Sequence, residues 1–380
     1  MASISSLMRC GLGVATALSL AGCASTPVPS CAPARLAYVG TDGGQVQALR
    51  LDACAGKLSS LGTVAQLAKP RWSIANPTLP ILYVADDVAG KDGSVVAFAV
   101  NRDTGALTRL GATDAGGIGT THLWLDAPSS TLVAANFFSG SATTLPLNAD
   151  GSVGAVASTV KETGSGPTKR QTKAHAHGIA IDPTGRWALV SDLGADRVFV
   201  YGFDRATHAL SPDDAAQPRA FAVAPGSGPH HAAFSSDGRF VYVLDELAAD
   251  VQVLRWDAHD ARLAPVQSLS IDGEQYKGAK SGAEIAVGRD GRFVYVADRG
   301  ENTLVVYRAD AGTGELSPLQ RVPSGGDKPW GLAIDPSGRW MLVANAAKVS
   351  LFEIDPAGGA LSDTGRSVDS ATPLSIAFMP

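Results

Sequence analysis

GIAIDPTGRWALVSD at 178–192, HAAFSSDGRFVYVLD at 231–245, EIAVGRDGRFVYVAD at 284–298 and GLAIDPSGRWMLVAN at 331–345 are four copies of one unit. Each reads as a short strand of small residues, a Gly turn, and a strongly apolar strand that ends in Asp or Asn. The final residues are 53, 53 and 47 positions apart, a period that belongs to repeat architectures. Runs such as Phe240-Val241-Tyr242-Val243-Leu244 are apolar on both faces, as a strand sandwiched between two neighbours must be. Weaker copies end at Asp86 and Asn136, while residues 36–41 match only the second half of the unit. The missing half is supplied by residues 373–378, which read as a lone first strand at the end of the chain. The pattern predicts an all-β protein: a seven-bladed β-propeller with four-stranded antiparallel blades, its ring closed by strands from both termini.

Composition agrees. The 380 residues are 45% hydrophobic and 18% charged, which describes an ordered chain. With 42 Gly and 22 Pro, every helical candidate is interrupted before three turns accumulate. A formal net charge of −5 and the lack of a long basic stripe argue against nucleic acid as a partner. The motifs of serine hydrolases, zincins and nucleotide hydrolases (Gly-x-Ser-x-Gly, His-Glu-x-x-His, Gly-Lys-Ser/Thr) do not occur.

Residues 10–22 form the one long apolar run, behind Arg9. It is too short to span a bilayer and reads as an export signal. Leu20-Ala21-Gly22-Cys23 resembles the lipobox of bacterial lipoproteins. The resemblance implies a signal peptide over 1–22, cleavage before Cys23 and lipidation of that residue, hence a bilayer as partner. The other reading is an ordinary secretory signal with a coincidental cysteine. Ala24 in place of aspartate implies an outer-membrane anchor facing the periplasm. Pro27, Pro29 and Pro33 make 23–33 a stiff tether, and the propeller domain occupies 34–380.

Export permits a disulfide, and Cys31 and Cys54 remain for it. A hairpin with a two-residue turn at Asp42-Gly43 would set Val39 opposite Val46 and, in the same register, Cys31 opposite Cys54. Such a bridge would contribute on the order of 3 kcal/mol. Two free thiols are the alternative.

In an antiparallel blade the start of the first strand and the end of the second lie at the same end. Residues there converge on one mouth of the central channel. First-strand entries hold Arg71-Trp72, Thr121-His122, His177-Gly178, His230-His231, Ala283-Glu284 and Trp330-Gly331. Second strands end in Asp86, Asn136, Asp192, Asp245-Glu246, Asp298-Arg299 and Asn345. Of the seven histidines, His122, His177, His230 and His231 stand at entries and His175 is two residues before one. The Asp and Asn ring fits turn capping, with a calcium site as the alternative. The 161–177 connection carries Lys161, Lys169, Arg170 and Lys173 and would overhang the same mouth.

These residues resemble the seven-bladed propeller lactonase family, which includes bacterial 6-phosphogluconolactonases and carboxymuconate-cyclising enzymes. The likeness rests on Arg170-Gln171, His175-Ala176-His177 and Asp192-Leu193-Gly194-Ala195-Asp196, on Gly228-Pro229-His230-His231 with Asp245-Glu246-Leu247, and on Ala283-Glu284-Ile285 with Asp298-Arg299-Gly300. It implies His177, His230, Glu246 and Arg299 as catalytic residues. His230 stands where the family has Arg, and Asp245 and Asp298 where it has Asn. Arg71, Arg170, Gln171, His175, His231 and Glu284 are the candidate substrate-binding residues at this mouth. The implied activity is hydrolysis of a sugar-type lactone without metal or other cofactor. The alternative is a non-catalytic envelope propeller, similar to the Tyr-Val-x-Asn repeat proteins that serve as binding scaffolds.

Overall fold

The repeated apolar strands are the second strands of seven antiparallel sheets. In a computed structural model, which describes residues 34–211 and 219–380, Trp187–Asp192 pairs with Ala176–Ile181 on one side and Arg197–Asp204 on the other. The same order recurs around Ile81–Asp86, Thr131–Asn136, Phe240–Asp245, Phe293–Asp298 and Trp340–Asn345. Six sheets have four strands; in the seventh, two short strands, Ala209–Ser211 and Arg219–Ala222, share the outer place beside Arg197–Asp204. The innermost strands neighbour one another in a closed circuit. Pro373–Phe378 pairs with Arg35–Thr41 and supplies the inner strand of the first blade, as the repeat pattern predicts. Among the described residues the only helix is a single 3₁₀ turn, Ala127–Ser129, and none is long and apolar enough to cross a membrane.

The core follows from that circuit. Seven hydrophobic clusters fill the seven interfaces between blades, so each apolar second strand is buried on both faces. Buried tyrosines in those strands tie one blade to the next. Tyr38, Tyr83 and Tyr295 donate to the carbonyls of Gly105, Gly151 and Gly359 at 2.9, 2.9 and 3.0 Å, each in an outer turn of the adjoining blade. Burial pushes the Tyr38 hydroxyl up to about 12, and the carbonyl partner satisfies the donor that burial would otherwise orphan.

The first hairpin departs from the expected register. Gly40 opposes Val46 and Val39 opposes Gln47, one residue away from the two-residue turn at Asp42-Gly43. The turn holds three residues, and Gly44, at φ 85°, takes the left-handed position that such loops require. Cys54 is disulfide-bonded; Cys31, its expected partner, lies outside the described residues, as do the expected signal peptide, Cys23 and the tether.

Candidate active site

At six inner strands the pairing with the second strand slips by one residue at the entry: between Pro70 and Trp72, Thr120 and His122, Ala176 and Gly178, Pro229 and His231, Gly282 and Glu284, and Pro373 and Ser375. The extra residues are Arg71, Thr121, His177, His230, Ala283 and Leu374. Adjacent side chains of a regular strand point to opposite faces, whereas a bulge re-aims one of them. The slip therefore lets both His230 and His231 face one cavity. That cavity, of about 620 Å³, is also lined by Arg71, Trp72, Arg170, His177, Glu246, Glu284 and Arg299. Gly178 is required for the approach of the two blades, since a Cβ there would lie 2.4 Å from the His230 carbonyl oxygen and 2.7 Å from His231 Cδ2.

Glu246 is the electrostatic centre. Its Oε1 accepts from Arg170 Nη1 and Arg299 Nη2, each at 2.7 Å, and its Oε2 lies 3.7 Å from His230 Nε2. Arg170 reaches it from the 161–177 connection, which thus overhangs the mouth as the sequence predicts. Arg299 also donates from Nε to Ser281 Oγ at 3.0 Å and lies over the Trp330 ring at 4.0 Å. Its planar group is fixed on three sides, a preorganised cation of the kind that stabilises charge developing on a bound oxygen. Burial lowers the Arg299 pKa from its ordinary value, and Glu246 opposes that effect. Arg71 is paired with Asp87 at 3.2 Å through both Nε and Nη2.

Beside this clamp lies a stack of imidazoles. Ring centroids are 3.7 Å apart for His177 and His230, 4.2 Å for His230 and His231, and 4.7 Å for His122 and His231. Burial holds the pKa of His122, His177 and His230 well below the ordinary imidazole value, and the charge of neighbouring histidines adds to the effect. These rings are therefore neutral near pH 7: they offer lone pairs and N–H donors, not cations. His230 accordingly does not reproduce the permanent charge of the arginine that the family pattern has there. His231 Nδ1 is 2.8 Å from Glu284 Oε1, so Glu284 orients that ring.

Eight of the ten sequence-predicted catalytic and binding residues line the cavity; Gln171 and His175 do not. Gln171 is fully buried and donates to the Leu193 carbonyl at 2.9 Å and to Asp196 Oδ1 at 2.5 Å, so it pins the Arg170-bearing loop. His175 stacks on Phe137 at 4.3 Å and bonds its carbonyl oxygen. The Asp and Asn ring is turned into the blades. Asp192 Oδ1 accepts from the His175 and Ala195 amides, Asp86 from the Ala68 and Lys69 amides, and Asn345 donates to the Ser324 carbonyl; none of the three lines the cavity. Phe137, Phe138, Ser281 and Lys328 line it as well and are absent from the sequence-based site. Phe137 had a legible signal: it follows Asn136 as Glu246 follows Asp245 and Arg299 follows Asp298.

Asp298, directly before Arg299, is fully buried, and burial pushes its carboxyl up to about 7. Arg321, 3.8 Å away, is engaged with Glu301 at 2.8 Å and offsets only part of the cost. The folded state thus keeps a proton that the unfolded chain releases near pH 4. The stability is present at low pH and is lost as pH rises towards 7, by on the order of 2 to 4 kcal/mol. Asp298→Asn should therefore raise the melting temperature at pH 8, with the gain shrinking towards pH 4; thermal melts across that range check it.

Comparison with known proteins agrees with this fold. A family model described as a lactonase with a 7-bladed β-propeller matches residues 36–378. A 6-phosphogluconolactonase of Bacillus subtilis is 29% identical over 350 residues, covering 90% of this chain and 98% of the relative. One of Formosa agariphila is 27% identical, covering 80% and 87%. The solved structure of a periplasmic gluconolactonase from Pseudomonas aeruginosa superposes with a TM-score of 0.84 at 28% identity, covering 92% of this chain and 99% of the other.

Proposed function

The chain belongs to the seven-bladed β-propeller lactonase family, and from that membership we propose that it hydrolyses a sugar-type lactone in the cavity at the His177–Arg299 mouth, without a metal ion. The observation that carries the reading is the convergence of a neutral imidazole, His177, and a fixed guanidinium, Arg299, on one cavity with Glu246 between two arginines. His177 takes a proton from water as the water oxygen adds to the lactone carbonyl. The electron pair displaced onto the carbonyl oxygen is met by Arg299, with His230 as a neutral donor beside it. Collapse breaks the ring C–O bond, and the proton held on His177 passes to the leaving alkoxide, giving the open hydroxy acid. Glu246 keeps Arg170 and Arg299 in place; with Oε1 accepting from both, it serves as their positioning residue. Trp330 and Phe138, 38% and 48% exposed at the rim, give the apolar face of a sugar ring a surface to lie on.

The export signal and lipobox support placement of the protein outside the inner membrane, anchored through Cys23 and facing the periplasm. An unphosphorylated aldonolactone suits that location. It also suits the charge at the site, where Arg71, Arg170 and Arg299 are each paired with a carboxylate. We expect kcat/KM for glucono-1,5-lactone to exceed that for its 6-phosphate and not to be lowered by a chelator. A reversed preference would move the substrate to the phosphorylated lactone, and loss of activity in chelator would overturn the metal-free mechanism.

A further inference from the structure

We propose that His177, His230 and His231 form a binding site for a divalent transition-metal ion of the zinc class. One ring nitrogen from each lies within 4.8 Å of the other two. His177 Nδ1, His230 Nδ1 and His231 Nε2 are all buried and have no hydrogen-bond partner. Buried polar atoms are nearly always paired, so three unpaired ring nitrogens in one cluster call for an occupant. Glu284 strengthens the case. Its Oε1 accepts from His231 Nδ1 at 2.8 Å, which leaves Nε2 as the ring's free nitrogen, the arrangement by which a carboxylate orients a metal-ligating histidine.

The donor set decides the ion. Three imidazoles suit zinc, copper or nickel, whereas calcium and magnesium require oxygen ligands. Zinc–nitrogen bonds of about 2.0 to 2.1 Å in tetrahedral geometry set the nitrogens about 3.3 Å apart, so the rings must close by up to about 1.5 Å from their present 4.8 Å. Glu246 and Glu284 supply nearby negative charge, against Arg170 and Arg299, which are both held on Glu246. A metal ion here would take up the lone pairs of His177 and His230. Inhibition of hydrolysis then follows, a consequence that rests on the hydrolytic reading; the binding itself does not.

The test is titration of untagged, metal-stripped full-length protein with Co²⁺, followed by its visible spectrum, and with Zn²⁺ by equilibrium dialysis. One equivalent should bind with the absorption of a low-coordinate nitrogen site. Affinity should fall at least ~100-fold in His231→Ala and about 10- to 100-fold in Glu284→Gln, and stay unchanged in His259→Ala, an exposed histidine of an outer turn. Melting curves establish that each variant is folded, and His230→Gln replaces His231→Ala if the latter is not. Absence of saturable binding, or wild-type affinity in the folded cluster variants, would overturn the site. Tight binding in a protein without lactonase activity would support it and overturn only the hydrolytic reading.

Discussion

Replacing Arg299 by alanine should lower turnover of the lactone roughly 10²- to 10³-fold with the fold retained, the range found when a preorganised oxyanion donor is removed. The guanidinium is held by Glu246 at 2.7 Å, Ser281 at 3.0 Å and the Trp330 ring at 4.0 Å, so the role proposed for it calls for no reorganisation. Truncation leaves Glu246 still paired with Arg170 at 2.7 Å. No buried carboxylate is orphaned, and the melting temperature should move little. Arg299→Lys keeps a charge but not the planar fork that meets Glu246 and Ser281 together, so it should recover only a small part of the rate. Steady-state kinetics on variants shown to be folded check both. A near-wild-type kcat for Arg299→Ala would remove the residue from the mechanism.

His177→Ala should cost about 10²- to 10⁴-fold in kcat, the usual contribution of a positioned general base. Its Nδ1 makes no hydrogen bond, so the truncated protein loses ring contacts with His230 and Phe137 but no buried polar pair. The loss should therefore appear in kcat rather than in stability. If the folded variant retained a rate within about threefold of wild type, the base would have to be sought at Glu246.

The propeller was legible because each unit repeats the same requirement. A second strand buried on both faces, such as Phe240–Asp245, must be apolar throughout, and its terminal Asp or Asn is held by loop contacts. Strand pairing then carries the entry of each inner strand to the same mouth, which is why His177, His230, Glu246 and Arg299 could be grouped in advance. The orientation of individual side chains was not legible, because it depends on the one-residue slips at the six strand entries. No turn residue marks such a bulge, and its effect is to let two neighbours face one cavity. The three-residue turn at Gly44 shifted the first hairpin for a related reason: Asp42-Gly43-Gly44 admits turns of two or three residues. Gln171 and His175 fell within the same motif as Arg170 and His177, yet loop packing turned them to structural tasks that only coordinates reveal.

The most direct test of the central claim is hydrolysis of glucono-1,5-lactone by the purified protein, corrected for spontaneous ring opening and paired with His177→Ala and Arg299→Ala. A rate well above the spontaneous one, lost in both folded variants, is the predicted result. A rate equal to background, or one that survives both substitutions, would contradict the assignment of this cavity as the active site.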